Sequence, residues 1–357
     1  MKQSSFIRSQ PSARGLRSAF IIIFLLTIHF SVFNVFAADI SSKAAVVMEA
    51  STGRILYGKN PDLRLAPAST TKLMTAMVTL DRMDPADTAV ISERAAGVSP
   101  VKLNLKAGER VTVETLLNAA LIKSANDAAY ALAEATGGSE DRFVELMNQK
   151  VIALEMPDTN FVNATGLPGS GQYTTAYDLA KMLREALKYP LIKELINTKA
   201  RWISTEEGRA IAIKNSDKLL WADETMLGGK TGYTREAKHC FVGAKEQGNE
   251  TVIVALLGAS SRQSLWRESE ELLEKGFAVT NGKEEPVMLI TKSEDEASVY
   301  PAAYSAKASD MKGRAHKKTR KTSQRKAKRG KSVTHIRKHK SRVNTEARVE
   351  KINGSKG

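Results

Sequence analysis

Strand-like segments stand near both ends of the globular part of this chain, and helix-like segments fill the space between them. The stretch KAAVVMEASTGRILYGKN, from Lys43, predicts two strands around a Ser-Thr-Gly turn. The stretch KTGYTREAKHCFVGAKEQGNETVIVALLGAS, from Lys230, predicts further strands joined at a Gly-Asn turn. Strands from both ends of one domain pair most simply in a single antiparallel sheet covered by the intervening helices. We therefore predict an α+β fold.

Apolar residues recur with helical spacing through the middle of the chain. The predicted helices contain, in order, KLMTAMVTL, the two parts of ETLLNAALIKSANDAAYALAEATGG on either side of SAND, SEDRFVELMNQKVIALEM, TAYDLAKMLREALKY and SLWRESEELLEKGFAV. We expect these helices to cover the sheet.

The first 38 residues differ in composition from the rest of the chain. Four basic residues among the first 17 precede an apolar stretch from Ala19 to Phe36, and small residues suited to cleavage follow near Ala37 or Ala38. This pattern predicts a secretory signal peptide at residues 1–38, which directs the protein to the periplasm or the outer face of the cytoplasmic membrane. An uncleaved signal anchor is the alternative.

Residues 306–357 carry the positive charge of this chain. They hold 19 Lys or Arg and three acidic residues, a net +16, whereas the whole chain has a formal net charge of +15. So many like charges with few large apolar residues predict a disordered tail. In an exported protein we expect an anionic membrane or cell-wall polymer, and no nucleic acid, as its partner. A purely solubilising extension is the alternative.

The remaining residues divide into a folded domain at 39–283 and a linker at 284–305. Cys240 is the only cysteine, which excludes an internal disulfide and a thiol cluster for a metal. His239 is the only histidine of the predicted domain. We expect neither a metal nor a cofactor, and a serine hydrolase built from these residues needs a base other than histidine.

The stretch PASTTKLMTA places Ser69 three residues before Lys72 at the start of a predicted helix. Residues three apart share one helix face, so the hydroxyl and the amine can meet. The S-x-x-K spacing occurs at three other places, and it alone does not distinguish a nucleophile and its base from a helix cap and a solvated lysine. A lysine acts as a base only when burial or a neighbouring cation lowers its pKa.

Two further stretches offer polar side chains of suitable chemistry, Ser124 and Asn126 in KSAND and Lys230 and Thr231 in GGKTGYT. A second lysine in the site can lower the pKa of the first. Taken alone, Ser124 and Asn126 could cap the following helix, and Lys230 could enter a surface strand. Taken together, three such motifs in one order point to a shared site.

The motifs S-x-x-K, S-x-N and K-T-G, in this order, resemble the penicillin-binding and serine β-lactamase superfamily. The resemblance runs from about Lys43 to Phe277 and is strongest for D-alanyl-D-alanine carboxypeptidases. It implies a β-lactamase/transpeptidase-like antiparallel sheet flanked by helices, with a helical subdomain. It also implies a serine carboxypeptidase that acts on peptidoglycan stem peptides and is acylated by β-lactams.

The resemblance implies a role for each motif residue. Ser69 corresponds to the acyl-forming nucleophile, Lys72 to its base, and Ser124 to the group that passes a proton to the leaving D-alanine. The expected substrate-binding residues are Asn126 for the amide, Lys230 for positive potential, Thr231 for the terminal carboxylate, and Gly232 and Tyr233 on the same strand. Backbone N–H groups of Ser69 and Tyr233 correspond to the oxyanion hole.

The chain departs from this family at several places. Lys238 stands where relatives usually have glycine, and Leu265 lies near the position of a carboxylate-fixing arginine, a role that Arg262 or Arg267 could take. The best-known relatives continue into a β-rich second domain and an amphipathic anchor helix, and we expect the basic tail to replace that anchor.

Three other functions compete with the carboxypeptidase. A D-alanyl endopeptidase of cross-links shares every residue named above. A β-lactamase is disfavoured, because its E-x-x-L-N signature is matched only by ETLLN at 114–118, which precedes Ser124 instead of following it. A silent cell-wall-binding protein is disfavoured because all the motif residues are present.

Overall fold

The computed structural model describes residues 40–291 and 297–301. The predicted signal peptide at 1–38 and the predicted tail at 306–357 lie outside these residues. The strands are β1 (Ala44–Glu49), β2 (Ile55–Lys59), β3 (Thr88–Val90), β4 (Arg110–Thr112), β5 (Ala200–Ser204), β6 (Ala210–Lys214), β7 (Met226–Thr234), β8 (Lys238–Gln247), β9 (Glu250–Ala259), β10 (Val287–Thr291) and β11 (Ala297–Pro301). The helices are α1 (Lys72–Leu80), α2 (Glu93–Gly97), α3 (Val113–Asn118), α4 (Asn126–Gly137), α5 (Glu140–Ala153), α6 (Ala176–Ala186), α7 (Pro190–Asn197), α8 (Lys218–Ala222) and α9 (Arg262–Thr280).

A seven-stranded sheet forms the centre of the described fold, with the strand order β11-β10-β2-β1-β9-β8-β7. Strand β1 pairs antiparallel with both β2 and β9, so strands from the two ends of the domain are neighbours. Every pair in this sheet is antiparallel except β10 with β2. The predicted α+β fold around an antiparallel sheet is confirmed.

Alternate side chains of the central strands enter two separate cores. On β1, Val46 and Met48 belong to the core shared with helices α1 to α7, whereas Ala45 and Val47 belong to the core beneath α9. Successive strand residues point to opposite faces of a sheet, so an unbroken apolar run such as AAVVM fits a strand covered on both sides. The sheet therefore holds the larger group of helices on one face and α9 on the other.

The sheet continues past residue 283, where a linker was expected. Strand β10 pairs parallel with β2, and β11 pairs antiparallel with β10. Met288 is buried, and Val287 and Leu289 pack against the core beneath α9. The linker prediction overlooked this short apolar run, which covers the otherwise open edge of β2.

Within residues 40–291 and 297–301, no helix is both long and apolar enough to cross a membrane. In the same part of the chain, no group of three or more His, Cys, Asp or Glu side chains is placed to hold a metal ion.

Candidate active site

Ser69 lies in a 3₁₀ turn that leads directly into α1. The turn spans Ala68–Thr71, and the α-helix begins at Lys72. Residues three apart are eclipsed in a 3₁₀ helix, and the Nζ atom of Lys72 lies 3.1 Å from the Oγ atom of Ser69. The Ser69 side chain caps neither element. The helix-cap interpretation is wrong, and the two side chains meet as predicted.

Lys72 is fully buried, and its amine has three polar neighbours. Besides Ser69 Oγ, its Nζ lies 2.7 Å from Asn126 Oδ1 and 2.6 Å from the carbonyl oxygen of Thr165. Burial, and then the charge of Lys230, lower the pKa of Lys72 well below its usual 10.5. A deprotonated amine has two N–H donors and one lone pair. Since Asn126 and Thr165 accept the two N–H bonds, the lone pair is left for the Ser69 proton.

The loop that supplies the Thr165 carbonyl was not predicted to belong to the site. Asn163 Oδ1 holds the loop by accepting hydrogen bonds from the backbone N–H groups of Thr165 at 3.2 Å and Gly166 at 2.8 Å. Gly166 has a φ of +80°, and a Cβ there would lie 1.8 Å from the carbonyl oxygen of Ala68. Glycine is therefore required where the loop meets the turn that contains Ser69. The only sequence signal was the family-like stretch FVNATGLPG.

Ser124 and Asn126 stand at the beginning of α4, but neither caps it. Ser124 follows a π-helical turn, Ala119–Lys123, and has a left-handed φ of 63°. The residue between them occupies the N-cap position without a side-chain hydrogen bond. Asn126 instead donates to the Ser99 carbonyl at 3.0 Å while its Oδ1 accepts from Lys72. The capping interpretation is wrong, because both side chains point to partners from other motifs.

Lys230 is buried in β7, and its Nζ donates to Ser124 Oγ at 2.8 Å. The surface-strand interpretation is therefore wrong. Burial lowers the pKa of Lys230 to about 7, and the carboxylate of Asp217 opposes that shift. Because the pKa of Lys72 is lowered by burial and by Lys230 itself, the pair favours a neutral Lys72 beside a charged Lys230.

Strand β7 passes close to the turn that contains Ser69, and it carries the other predicted site residues. A Cβ on Gly232 would lie 2.9 Å from the backbone nitrogen of Ser69, so glycine lets the strand pass close to that turn. Thr231 Oγ1 lies 2.6 Å from the hydroxyl of Ser216, a residue that was not predicted. Tyr233 is 57% exposed, and its ring stacks against His239. The role predicted for this residue belongs to its backbone N–H.

The three motifs thus form one cluster of hydroxyl, amine and amide groups, connected by hydrogen bonds from Ser69 through Lys72 to Asn126 and from Lys230 to Ser124. The sequence profile of the D-alanyl-D-alanine carboxypeptidase family matches residues 31–261, which is more than half of the chain. The chain belongs to this family.

Characterised members of the family are similar over most of the domain. The carboxypeptidase DacF of Bacillus subtilis is 36% identical over 242 residues, which are 66% of this chain and 62% of that protein. The carboxypeptidase DacC of Escherichia coli is 32% identical over 278 residues, covering 74% of this chain and 68% of that protein. The chain thus spans about three fifths to two thirds of the length of these two relatives.

The fold is also that of solved DD-peptidase structures. The crystal structure of the Streptomyces K15 DD-transpeptidase matches with a TM-score of 0.63 and 31% identity, over 67% of this chain and 98% of that one. This likeness covers the fold that the two chains share.

The departures from the family have physical explanations. Lys238, at which the family resemblance leads us to expect glycine, has a φ of 57°, a conformation that favours glycine. Leu265 is buried in the core beneath α9. Arg267 pairs with two glutamates of its own helix. Arg262 lies near His239: burial lowers the pKa of the His239 ring, and the charge of Arg262 lowers it further. Among the residues that the structure describes, no hydrogen bond or ion pair joins either arginine to the polar side chains of the cluster.

The ETLLN stretch forms α3 and lies outside the cluster. Glu114 is exposed, and Leu116 and Leu117 are buried in the core. Asn118 donates to the Glu114 carbonyl at 2.9 Å. Helix periodicity therefore accounts for this match to the β-lactamase signature.

Proposed function

We propose that this chain is a serine D-alanyl-D-alanine carboxypeptidase. It removes the terminal D-alanine of peptidoglycan stem peptides through an acyl-enzyme on Ser69, and penicillin acylates the same serine. The observation that supports this function best is the buried Lys72 amine, whose lone pair is directed to the Ser69 hydroxyl by its contacts with Asn126 and Thr165.

Acylation begins when Ser69 Oγ attacks the carbonyl carbon of the D-alanyl-D-alanine bond and its proton passes to Lys72 Nζ. Backbone N–H groups of Ser69 and Tyr233 stabilise the resulting oxyanion. Asn126 holds the substrate amide, and the Thr231 hydroxyl binds the terminal carboxylate. Lys72 is suited to this step because its lowered pKa leaves it neutral at a pH where an ordinary lysine is charged.

The tetrahedral intermediate collapses when the C–N bond breaks and the leaving amine receives a proton from the Ser124 hydroxyl. Lys230 donates to Ser124 Oγ and stabilises the transient negative charge on that oxygen. The Lys72 ammonium then gives its proton to the Ser124 oxygen, which restores the hydroxyl and the neutral amine. Water next attacks the acyl carbon and gives a proton to Lys72 Nζ. When the ester C–O bond breaks, Lys72 returns that proton to Ser69 Oγ, and the shortened peptide leaves with a new carboxyl group.

The test is incubation of the purified chain with a muropeptide that ends in D-alanyl-D-alanine, followed by mass analysis. We expect loss of one alanine, and no loss with Ser69→Ala. The endopeptidase alternative has support from a Pseudomonas aeruginosa D-alanyl-D-alanine endopeptidase that is 32% identical over 242 residues. Cross-linked dimers in the same assay separate the two: cleavage of dimers without loss of alanine from monomers would show the endopeptidase.

Two further parts of this function concern the ends of the chain. The N-terminal pattern supports export, with action in the periplasm or on the outer face of the cytoplasmic membrane. The tail from residue 306 carries 19 cations and would hold the enzyme near an anionic membrane or cell-wall polymer, at about 1 kcal/mol per cation near an anionic bilayer.

A further inference from the structure

Two hydroxyl groups stand side by side at the edge of the site, on different segments of the chain. Ser216 Oγ lies 2.6 Å from Thr231 Oγ1, and neither hydroxyl has another hydrogen-bond partner among residues 40–291 and 297–301. Two hydroxyls carry two protons, and their mutual contact uses only one. The pair therefore keeps one O–H donor for an acceptor that comes from outside the chain.

Ser216 is held in place by the two residues that flank it. The Asn215 side chain donates to the carbonyls of Ile196 at 3.2 Å and Thr198 at 3.1 Å, and its Oδ1 accepts from the backbone of Asp217 at 3.0 Å. Both flanking side chains are buried. The position of the Ser216 hydroxyl is thus fixed before a ligand arrives.

The segment is anchored on its other side by the short helix α8. Asp217 Oδ1 accepts from the backbone N–H groups of Leu219 at 2.9 Å and Leu220 at 3.3 Å. Trp221 Nε1 donates to the carbonyl oxygen of Asn215 at 3.1 Å. None of these bonds uses the Ser216 hydroxyl, which is left to contact Thr231.

The proposed substrate ends in a carboxylate, which only accepts hydrogen bonds. Arg267, one of the arginines considered for this group, is engaged with glutamates of α9, and Leu265 is buried. Within the hydrogen-bonded cluster, the groups that can meet a carboxylate are therefore the hydroxyl pair and the charged Lys230.

We propose that Ser216 is a positioning residue of the carboxylate site: it donates its proton to Thr231 Oγ1 and leaves the Thr231 proton for the ligand. This assignment rests on the proposed function and deepens it. A hydroxyl that accepts one hydrogen bond donates a stronger one, because the two bonds polarise each other. Ser216 thus orients the Thr231 hydroxyl and strengthens its bond to the carboxylate.

The test compares two β-lactams that differ in the carboxylate, benzylpenicillin and its methyl ester. Ser216→Ala should slow acylation of Ser69 by benzylpenicillin by about three- to tenfold. This is less than the effect of losing a hydrogen bond to a charged group, because Thr231 keeps its own bond to the carboxylate. The rate with the methyl ester should stay within about twofold of the wild type, since the ester removes the charge that the hydroxyl pair recognises. Ser216→Thr, which keeps a hydroxyl, should restore the rate with benzylpenicillin.

The matched control is Thr136→Val, which removes a hydroxyl that contacts Thr79 at 3.4 Å at the far ends of α4 and α1. It should slow neither reaction, and melting temperatures establish that each variant is folded. Equal slowing of both compounds by Ser216→Ala, or slowing of neither, would overturn the assignment and leave the proposed function standing. A wild-type protein that forms no adduct on Ser69 with either compound would refute the proposed function itself and this assignment with it.

Discussion

Lys230 Nζ donates a hydrogen bond to Ser124 Oγ at 2.8 Å, although the two residues are 106 positions apart in the chain. The bond joins β7 to the turn before α4, where Ser124 has a left-handed backbone conformation. A protonated Lys230 polarises this hydroxyl and stabilises it when it gives up its proton. In the proposed mechanism, the contact therefore links the charge of Lys230 to proton transfer at Ser124.

Ser124→Ala should slow acylation by penicillin by about 10²–10⁴, the range expected when a proton-transfer group is lost. The rate of adduct formation, followed by mass spectrometry, measures this. Ser124→Gly distinguishes loss of the hydroxyl from strain in the backbone, because glycine adopts the φ of 63° without strain. Both variants should be equally slow, and recovery of the rate in the glycine variant would contradict the role of the hydroxyl.

Lys72→Arg should abolish acylation, because a guanidinium stays protonated at every working pH and cannot accept the Ser69 proton. In the wild type, acylation should rise with pH well below 10.5, since burial and Lys230 lower the pKa of Lys72. Rates measured between about pH 5 and 9 test both points. Lys150→Arg is the control, because Lys150 pairs with Asp81 at 2.7 Å away from the cluster. A wild-type rate in Lys72→Arg would refute Lys72 as the base.

Asp217→Asn should make stability less dependent on pH. Burial raises the pKa of Asp217 from 3.8 to about 6, so the folded state binds this proton more tightly than the unfolded state. The resulting stabilisation is present below pH 3.8 and is lost as pH rises through about 6. The difference in unfolding free energy between variant and wild type should therefore shift in favour of the variant by roughly 3 kcal/mol from acid to neutral pH. Denaturant titrations at several pH values measure this shift.

Asp217→Asn should also shift the pH dependence of acylation. The Asp217 carboxylate opposes the lowering of the Lys230 pKa to about 7, so Lys230 should lose its proton at lower pH in the variant. The alkaline limb of acylation should shift toward acid. Asp178→Asn is the matched control, since burial raises the pKa of Asp178 to about 6 as well, with no effect of Lys230. Asp178→Asn should change the pH dependence of stability in the same direction but leave the pH dependence of acylation unchanged. An equal shift of the acylation profile in both variants would contradict the link between Asp217 and Lys230.

Gly166→Ala should reduce acylation by at least about tenfold. A Cβ at this position would lie 1.8 Å from the Ala68 carbonyl oxygen, so the loop must move and take the Thr165 carbonyl away from Lys72. Gly171→Ala is the control, because Gly171 has a similar φ of +83° with no atom within 4 Å of an added Cβ. It should cost about 1–2 kcal/mol of stability and preserve the rate. Equal rates in the two variants would argue against a role for the loop.

Removal of residues 306–357 should leave hydrolysis of a small soluble peptide unchanged, because every proposed site residue precedes the tail. Binding to isolated sacculi or anionic vesicles should weaken. The loss should be largest at low salt, because dissolved ions screen the attraction between exposed charges beyond about 8 Å near physiological ionic strength. A tail of equal length with its 19 Lys and Arg replaced by Gln should bind as weakly as the truncated chain. Cosedimentation that is equal for all three proteins would support a solubilising extension instead.

Local patterns in the sequence determined the main elements of the fold and the identity of the motif residues. Apolar runs around short turns predicted β1, β2 and the strands β7 to β9, and helical spacing predicted the segments between them. Both patterns depend only on residues that are close in sequence, so they predict strands and helices without knowledge of which elements pack together. The parallel pairing of β10 with β2 was missed, because a short apolar run does not reveal which strand edge is open.

Only the tertiary structure decided which motif residues are buried and which side chains meet. Nothing in S-x-x-K distinguishes a solvated lysine from the buried Lys72, whose lowered pKa depends on Lys230 and on burial by distant segments. The Thr165 carbonyl and the Ser216 hydroxyl carried no motif of their own, and they entered the site through contacts across 93 and 15 residues of chain. A backbone carbonyl has no residue signature, and burial and proximity arise from long-range packing. These properties are set only once the chain has folded.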